Sequence, residues 1–206
     1  MAVFNVKKRE IECKIVYYGP GRCGKTTNLE YIHRTYKKQI SADMVSINTE
    51  GDRTLYFDFL PMGLGKINGC EVRVQLYTVP GQTRYSSTRK LVLQGVDGIV
   101  FVADSLQARR KKNMLSLMDL NDNLKAYNLS IFKIPLVMQY NKRDLATSGL
   151  PLLPIEQLDH DLNRQLKAPF CPASAVNGEG VGVTLKQCLQ LTLKSLHRQL
   201  NWGAKN

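Results

Sequence analysis

Polar and apolar residues alternate along Ile11-Glu12-Cys13-Lys14-Ile15 and then give way to the unbroken run Val16-Tyr17-Tyr18. Alternation sends side chains to opposite faces of a strand, and its loss buries both faces in a core. Leu29, Ile32, His33 and Tyr36 follow at helical spacing. Residues 55–60 and 72–77 read as two further strands, and the three glycines within 63–69 predict a hairpin between them. Residues 98–103 and 135–140 are bounded apolar runs, the mark of parallel strands covered on both sides. Leu115, Met118, Leu120 and Leu124 place a long helix between those runs. A short strand is predicted at Phe170-Cys171-Pro172 and a last helix over 181–200. Strands alternating with helices build an α/β fold, a sheet with helices on both faces. No Gly-, Pro- or Ser-rich stretch divides the chain, so residues 1–206 are expected to form one domain with a folded core from about 10 to 200.

Two of the connecting segments carry chemistry. Gly19-Pro20-Gly21-Arg22-Cys23-Gly24-Lys25-Thr26 matches G-x-x-x-x-G-K-[ST] at every fixed position, after a predicted strand and before a predicted helix. Glycines let backbone N–H groups curl round an anion, and the helix N-terminus adds its positive end. Phosphates are therefore expected against Gly19, Gly21, Arg22, Cys23, Gly24, Lys25, Thr26 and Thr27, with the Lys25 ammonium at the β- and γ-phosphates and the Thr26 hydroxyl on Mg²⁺. This loop alone does not choose between ATP and GTP, or between a kinase and a switch.

Asn141-Lys142-Arg143-Asp144 follows the strand at 135–140, which puts it at the ligand-binding edge of an α/β sheet. A carboxylate at Asp144 accepts from both N1–H and the exocyclic amine of guanine, a donor pair that adenine lacks, which argues against an ATP-using kinase. Asn141 is expected to touch the base and brace the phosphate loop, and the Lys142 stem to cover the base's face. Ser174-Ala175, after the next strand, has a backbone N–H to offer the guanine O6.

Composition narrows the partners. The 206 residues are 43% hydrophobic and 22% charged, which excludes a disordered or collagen-like chain. The net charge of +12 points to an anionic partner. Residues 1–40 carry +6 of it and residues 41–100 none, and the run Arg109-Arg110-Lys111-Lys112 supplies much of the rest. Nucleic acid is set aside, because no reader motif or aromatic interleaving accompanies the charge. A four-base tract gains about 1 kcal/mol per charge at a phospholipid surface, so weak contact with an anionic membrane stays open. Five scattered cysteines show neither disulfide nor zinc spacing, and no signal peptide, lipidation motif or membrane span is visible. A cytoplasmic chain with reduced thiols is expected. Cys23 reads as a small loop filler and His33 as a packed residue.

The phosphate loop, Val79-Pro80-Gly81-Gln82, the N-K-x-D segment and Ser174-Ala175, in that order, resemble the Ras-like small GTPases over nearly the whole chain. Cys13-Lys14-Ile15-Val16-Tyr17-Tyr18, Asp52-Arg53-Thr54-Leu55, Phe57-Asp58-Phe59-Leu60-Pro61 and Tyr77-Thr78-Val79-Pro80-Gly81-Gln82 look like one bacterial branch, the MglA proteins of cell polarity and gliding or pilus motility. The resemblance implies a three-layer P-loop NTPase fold, a Ras-like G domain with a mostly parallel six-stranded sheet and one antiparallel hairpin strand. It implies GTP/GDP with Mg²⁺ as ligands and Gly81 at the nucleotide. Gln82 matches the water-positioning glutamine, and Thr54 the switch threonine that closes on Mg²⁺. Arg53 matches an arginine brought in from the same chain, a role worth about 10³–10⁵ in rate where phosphoryl-transfer switches use one. The implied partners are polarity effectors and a roadblock-type, MglB-like GTPase-activating dimer that arranges the switch, with recruitment to a cell pole.

One position departs from Ras-like enzymes in general. Their metal-supporting aspartate before x-x-G-Q is Thr78 here, a change the MglA branch shares. Asp58, on the facing hairpin strand, is the candidate to support Mg²⁺ through water. Two readings follow: a slow GTP-hydrolysing switch, favoured by Gln82 and Arg53, or a GTP-bound polarity scaffold with little turnover, favoured by Thr78.

Overall fold

A computed structural model of the protein describes residues 3–5, 9–40, 43–47, 57–67, 69–81 and 86–203. In chain order its elements are β1 (Val3–Asn5), β2 (Glu10–Tyr18), α1 (Lys25–Thr35), β3 (Val45–Ile47), β4 (Phe57–Ile67), β5 (Cys70–Thr78), α2 (Ser86–Leu93), β6 (Gly98–Asp104), α3 (Arg110–Lys125), β7 (Leu136–Asn141), α4 (Ile155–Leu162), β8 (Phe170–Pro172) and α5 (Val181–Gly203). One sheet runs β3-β4-β5-β2-β6-β7-β8. The strands from β5 through β8 are parallel, whereas β4 and β3 run antiparallel at one edge. β1 also pairs antiparallel, along the first residues of β2, on the side that β6 takes from Ile15 onward.

The six expected strands and the α/β layering are all present. β1 and β3 are additions of three residues each, too short for a period-two pattern to register. The hairpin differs in detail. β4 continues past Gly63 and Gly65 to Ile67, and the register shifts between Gly63 and Lys66, so those glycines shape a bulge inside the strand and only Gly69 belongs to the turn.

Alternation along β2 sorts the core. Ile15 and Tyr17 pack with Leu29 and Ile32 of α1 and Val181 and Leu185 of α5 on one face. Val16 and Tyr18 pack with Leu93 of α2, Leu120 of α3 and Leu158 of α4 on the other. β6 and β7 are buried along their whole lengths, as their largely apolar runs require. Each large side chain so buried contributes about 1.5–3 kcal/mol.

The seating of α3 follows from a polar clamp. The Asn113 side chain accepts from the Asp104 N–H at 2.9 Å and donates to the Asp104 carbonyl at 2.8 Å, as a third β-strand edge would. Asn113, Leu120 and Leu124 thus share the buried face, and Leu115 and Met118 are turned outward at 51% and 62% exposure. Among the described residues no helix is long and apolar enough to cross a membrane.

α5 lies directly on the backbone of β6. A Cβ at Gly98 would fall 2.2 Å from the Thr192 hydroxyl oxygen and 3.3 Å from the Cys188 sulfur, both fully buried. Burial also pushes the Cys188 thiol up to about 12, so it packs as a neutral group. Gly98→Ala is expected to lower stability by about 1–3 kcal/mol. Adding Thr192→Ala should recover part of that loss, and urea midpoints of the two single variants and the double variant check it.

Candidate functional site

Every parallel strand delivers its C-terminal loop to one edge of the sheet, and the chemistry collects there. The loop from β2 to α1 is shaped by its neighbours as much as by its own residues. Gly24 has φ +101° and lies so near Asn141 that a Cβ would stand 2.2 Å from the Asn141 amide nitrogen. Gly81, beyond β5, packs on the same loop, where a Cβ would stand 2.3 Å from the Gly21 nitrogen. Lys25 is 6% exposed, and its ammonium donates to the carbonyls of Gly19 at 3.0 Å and Pro20 at 2.8 Å. Cys23 is fully buried, and desolvation raises its thiol pKa against the opposing pull of Lys25. It fills the loop as a neutral thiol, as expected of a filler.

At the start of α1 the Thr26 hydroxyl donates to Asp58 Oδ2 at 2.6 Å. Asp58 reaches it from β4, and the Thr78 hydroxyl of β5 donates to the same oxygen at 2.8 Å while accepting from the Asp58 N–H at 2.9 Å. Asp58 and Thr78 are 4% and 3% exposed. The threonine at the departing position therefore holds a carboxylate presented by the neighbouring strand.

On the far side, Asn141 ends β7. Its amide donates to the Cys23 carbonyl at 2.8 Å and accepts from the Ala175 N–H at 2.8 Å. Asp144 lines the same cleft as Lys25 and Thr26, and its Oδ1 is buried with no hydrogen-bond partner among the described residues. A buried, unpaired carboxylate oxygen is costly unless a ligand donor meets it. The Ser174 N–H donates to the Glu179 carbonyl at 3.0 Å and the Ala175 N–H to Asn141, so the pair braces the asparagine and its N–H groups are already engaged. Lys142, at φ +70°, donates to Asp104 Oδ2 at 2.8 Å.

The basic run divides. Arg109 turns inward to Asp104 and to the Gly21 carbonyl, and Arg110 forms a forked pair with Asp161 at 2.6 and 2.9 Å. Arg110 in turn holds the Asp161 carboxyl below its ordinary range. Only Lys111 and Lys112 remain as an exposed pair. Sequence reasoning had passed over Asp104 and Arg109, and also a second network at the cleft wall. There Arg89 of α2 forks onto Asp119 of α3 at 2.8 and 3.1 Å, and Asp119 also accepts from the Tyr18 hydroxyl. Burial and Asp119 raise the Tyr18 pKa, keeping that proton in place. Arg53, Thr54 and Gln82 lie outside the described residues.

The chain matches the family model of the ADP-ribosylation factor family over residues 1–192. It is 48% identical over 198 residues to the mutual gliding-motility protein MglA of Myxococcus xanthus, covering 96% of this chain and 99% of that one. It is 25% identical over 190 residues to the Ras-related protein Rab-32C of Dictyostelium discoideum, covering 92% and 77%.

The unpaired oxygen of Asp144 generates a base-exchange prediction. Asp144→Asn should weaken guanine nucleotide about tenfold or more and favour xanthine nucleotide, whose C2 carbonyl accepts where guanine donates. Competition of the two nucleotides against a labelled probe measures the change, and an unaltered preference would remove Asp144 from the base site.

Proposed function

The chain belongs to the MglA family of Ras-like small GTPases, and from that premise we propose that it is a slow GTP-hydrolysing switch in cell polarity and gliding or pilus motility. Guanine-nucleotide binding and GTP hydrolysis follow from family membership. The observation that carries the assignment to this cleft is the buried, unpaired Asp144 oxygen in the same cleft as the Lys25 ammonium: one end fits a guanine donor edge, the other a polyphosphate.

Mg²⁺ fits the oxygen donors at hand, because this ion takes one or two carboxylates and hydroxyls together with substrate phosphates. Thr26 would ligate it, with Thr54 from the switch, and Asp58 would support it through water. Bound there, the ion would neutralise phosphate charge. The hydroxyl of Thr78 fixes Asp58 in this role without adding charge of its own. Asp58→Asn should raise the Mg²⁺ concentration needed to retain GDP about tenfold or more. A Mg²⁺ titration of GDP release reads this, and an unchanged midpoint would exclude Asp58 as the metal support.

In this reading Gly19 to Thr27 and Gly81 cradle the phosphates, Asn141, Lys142 and Asp144 hold the base, and Ser174-Ala175 brace Asn141. Gln82 orients the attacking water, and Arg53 with Lys25 meets the charge that develops on the phosphates. A roadblock-type, MglB-like dimer accelerates turnover by arranging Arg53 and Gln82, and polarity effectors bind the GTP state. The chain works as one cytoplasmic domain recruited to a pole. Any anionic-membrane contact rests on Lys111 and Lys112 and not on a four-base tract, and nucleic acid is not a partner.

The second reading, a GTP-bound scaffold with little turnover, is favoured by the missing carboxylate at Thr78. Single-turnover hydrolysis with and without the roadblock partner separates the two. Gln82→Ala and Arg53→Ala should each slow the stimulated rate by roughly 10³-fold. A rate indifferent to both substitutions would leave the scaffold reading standing.

A further inference from the structure

Arg109 sits at the N-terminal end of α3, 88 residues from the phosphate loop, yet its guanidinium donates to the Gly21 carbonyl. Its side chain is 19% exposed, and Arg109 lines the nucleotide cleft. The anchor that holds it is Asp104, 0% exposed at the end of β6. Asp104 Oδ2 pairs with Arg109 Nε at 3.4 Å and accepts from Lys142 Nζ at 2.8 Å, and Oδ1 accepts from the Leu106 N–H at 3.1 Å. Asn113 in turn fixes the Asp104 backbone. The carboxylate cannot turn away without leaving a buried charge short of partners.

The atom that Arg109 grips matters because of peptide planarity. The Gly21 carbonyl and the Arg22 N–H belong to one rigid trans unit and point in opposite directions. Fixing the carbonyl therefore fixes the N–H, which belongs to the set that cradles phosphate in this loop. Arg22 itself holds φ +64°, a left-handed conformation that a residue with a Cβ keeps only when its surroundings impose it.

We propose that Arg109 is a positioning residue for nucleotide retention: anchored on Asp104, it holds the Gly21–Arg22 peptide of the phosphate loop in its anion-binding orientation. Asp104 thereby couples the base-reading loop, through Lys142, to the phosphate loop, through Arg109. This path runs beside the direct bridge from Asn141 to Cys23. The proposal rests on the assignment of the cleft to guanine nucleotide.

Release of the fluorescent analogue mant-GDP from the full chain tests it, by stopped-flow chase with excess GDP. Arg109→Met keeps the apolar stem and removes every donor, and release should accelerate about 10- to 100-fold. Arg109→Lys, which retains a donor without the fork, should fall between Met and wild type. Neither variant should change the preference for guanine over hypoxanthine in a parallel chase with mant-IDP, because the base contacts are untouched. Asp104→Asn should accelerate release as well, and combining it with Arg109→Met should add little further. Release at the wild-type rate in Arg109→Met overturns the proposal. So does full additivity with Asp104→Asn, or a defect confined to single-turnover GTP hydrolysis with mant-GDP release unchanged, which would make Arg109 a phosphate contact. A wild-type chain that failed to hold mant-GDP would instead overturn the assignment of the cleft.

Discussion

The Asn141 amide faces two backbones at once, donating to Cys23 on the phosphate loop and accepting from Ala175 on the loop after β8. Three connections, two of them more than a hundred residues apart in the chain, are held to one another by a single planar group. The close approach is possible because Gly24 has no Cβ on the side that Asn141 occupies. The geometry of the cleft therefore depends on one side-chain amide and one missing methyl group, and both must be right for Lys25 and Asp144 to face a common ligand.

The metal side of the cleft follows a different economy. A carboxylate is presented from β4 and held by hydroxyls from α1 and β5, all converging on one oxygen of Asp58. This requires β4 and β5 to keep their register near the cleft. The bulge between Gly63 and Lys66 sits toward the far end of the hairpin, and pairing from Phe59↔Tyr77 to Gly63↔Arg73 is regular. The irregular part of the hairpin is thus kept away from the part that places Asp58. An aromatic pair, Phe59 and Tyr77, with ring centres 4.9 Å apart, joins the two strands at the next register position.

What was readable in the sequence was what is local or periodic. The phosphate loop is eight contiguous residues, and β6 and β7 announce themselves as bounded, largely apolar runs. α2 and α4 are eight residues each, two turns, too short to establish a face. Leu115 and Met118 shared helical spacing with Leu120 and Leu124, but hydrophobicity could not say which of the four face inward. Asn113 decides that by a hydrogen-bonded clamp to β6, and a polar residue carries no hydrophobic signal. Asp104 and Arg109 were missed for a related reason: their importance lies in partners brought near by folding, not in spacing along the chain. Thr78 was legible as a departure, and Asp58 as a candidate, because a hairpin places the two strands side by side.

The excess positive charge takes on a different meaning once the buried acids are located. Asp104 holds two bases, Lys142 and Arg109, and Asp119 and Asp161 each hold an arginine. A carboxylate taken out of water must be compensated, and in these clusters four bases meet three acids, so they hold one charge of the surplus. Among the described residues, exposed bases stand close together at Lys111-Lys112 on α3 and at Arg34, Lys37 and Lys38 around the end of α1, and others, Lys66, Lys133, Lys167 and Lys186 among them, are spread over the surface. Neither place has the density of four adjacent charges that the run at 109–112 suggests when read as a string. At about 8 Å of Debye screening in physiological salt, isolated pairs of lysines act on a partner only at contact. In physiological salt the net +12 is largely screened beyond that distance, so an anionic partner reads the charges at the surface it touches.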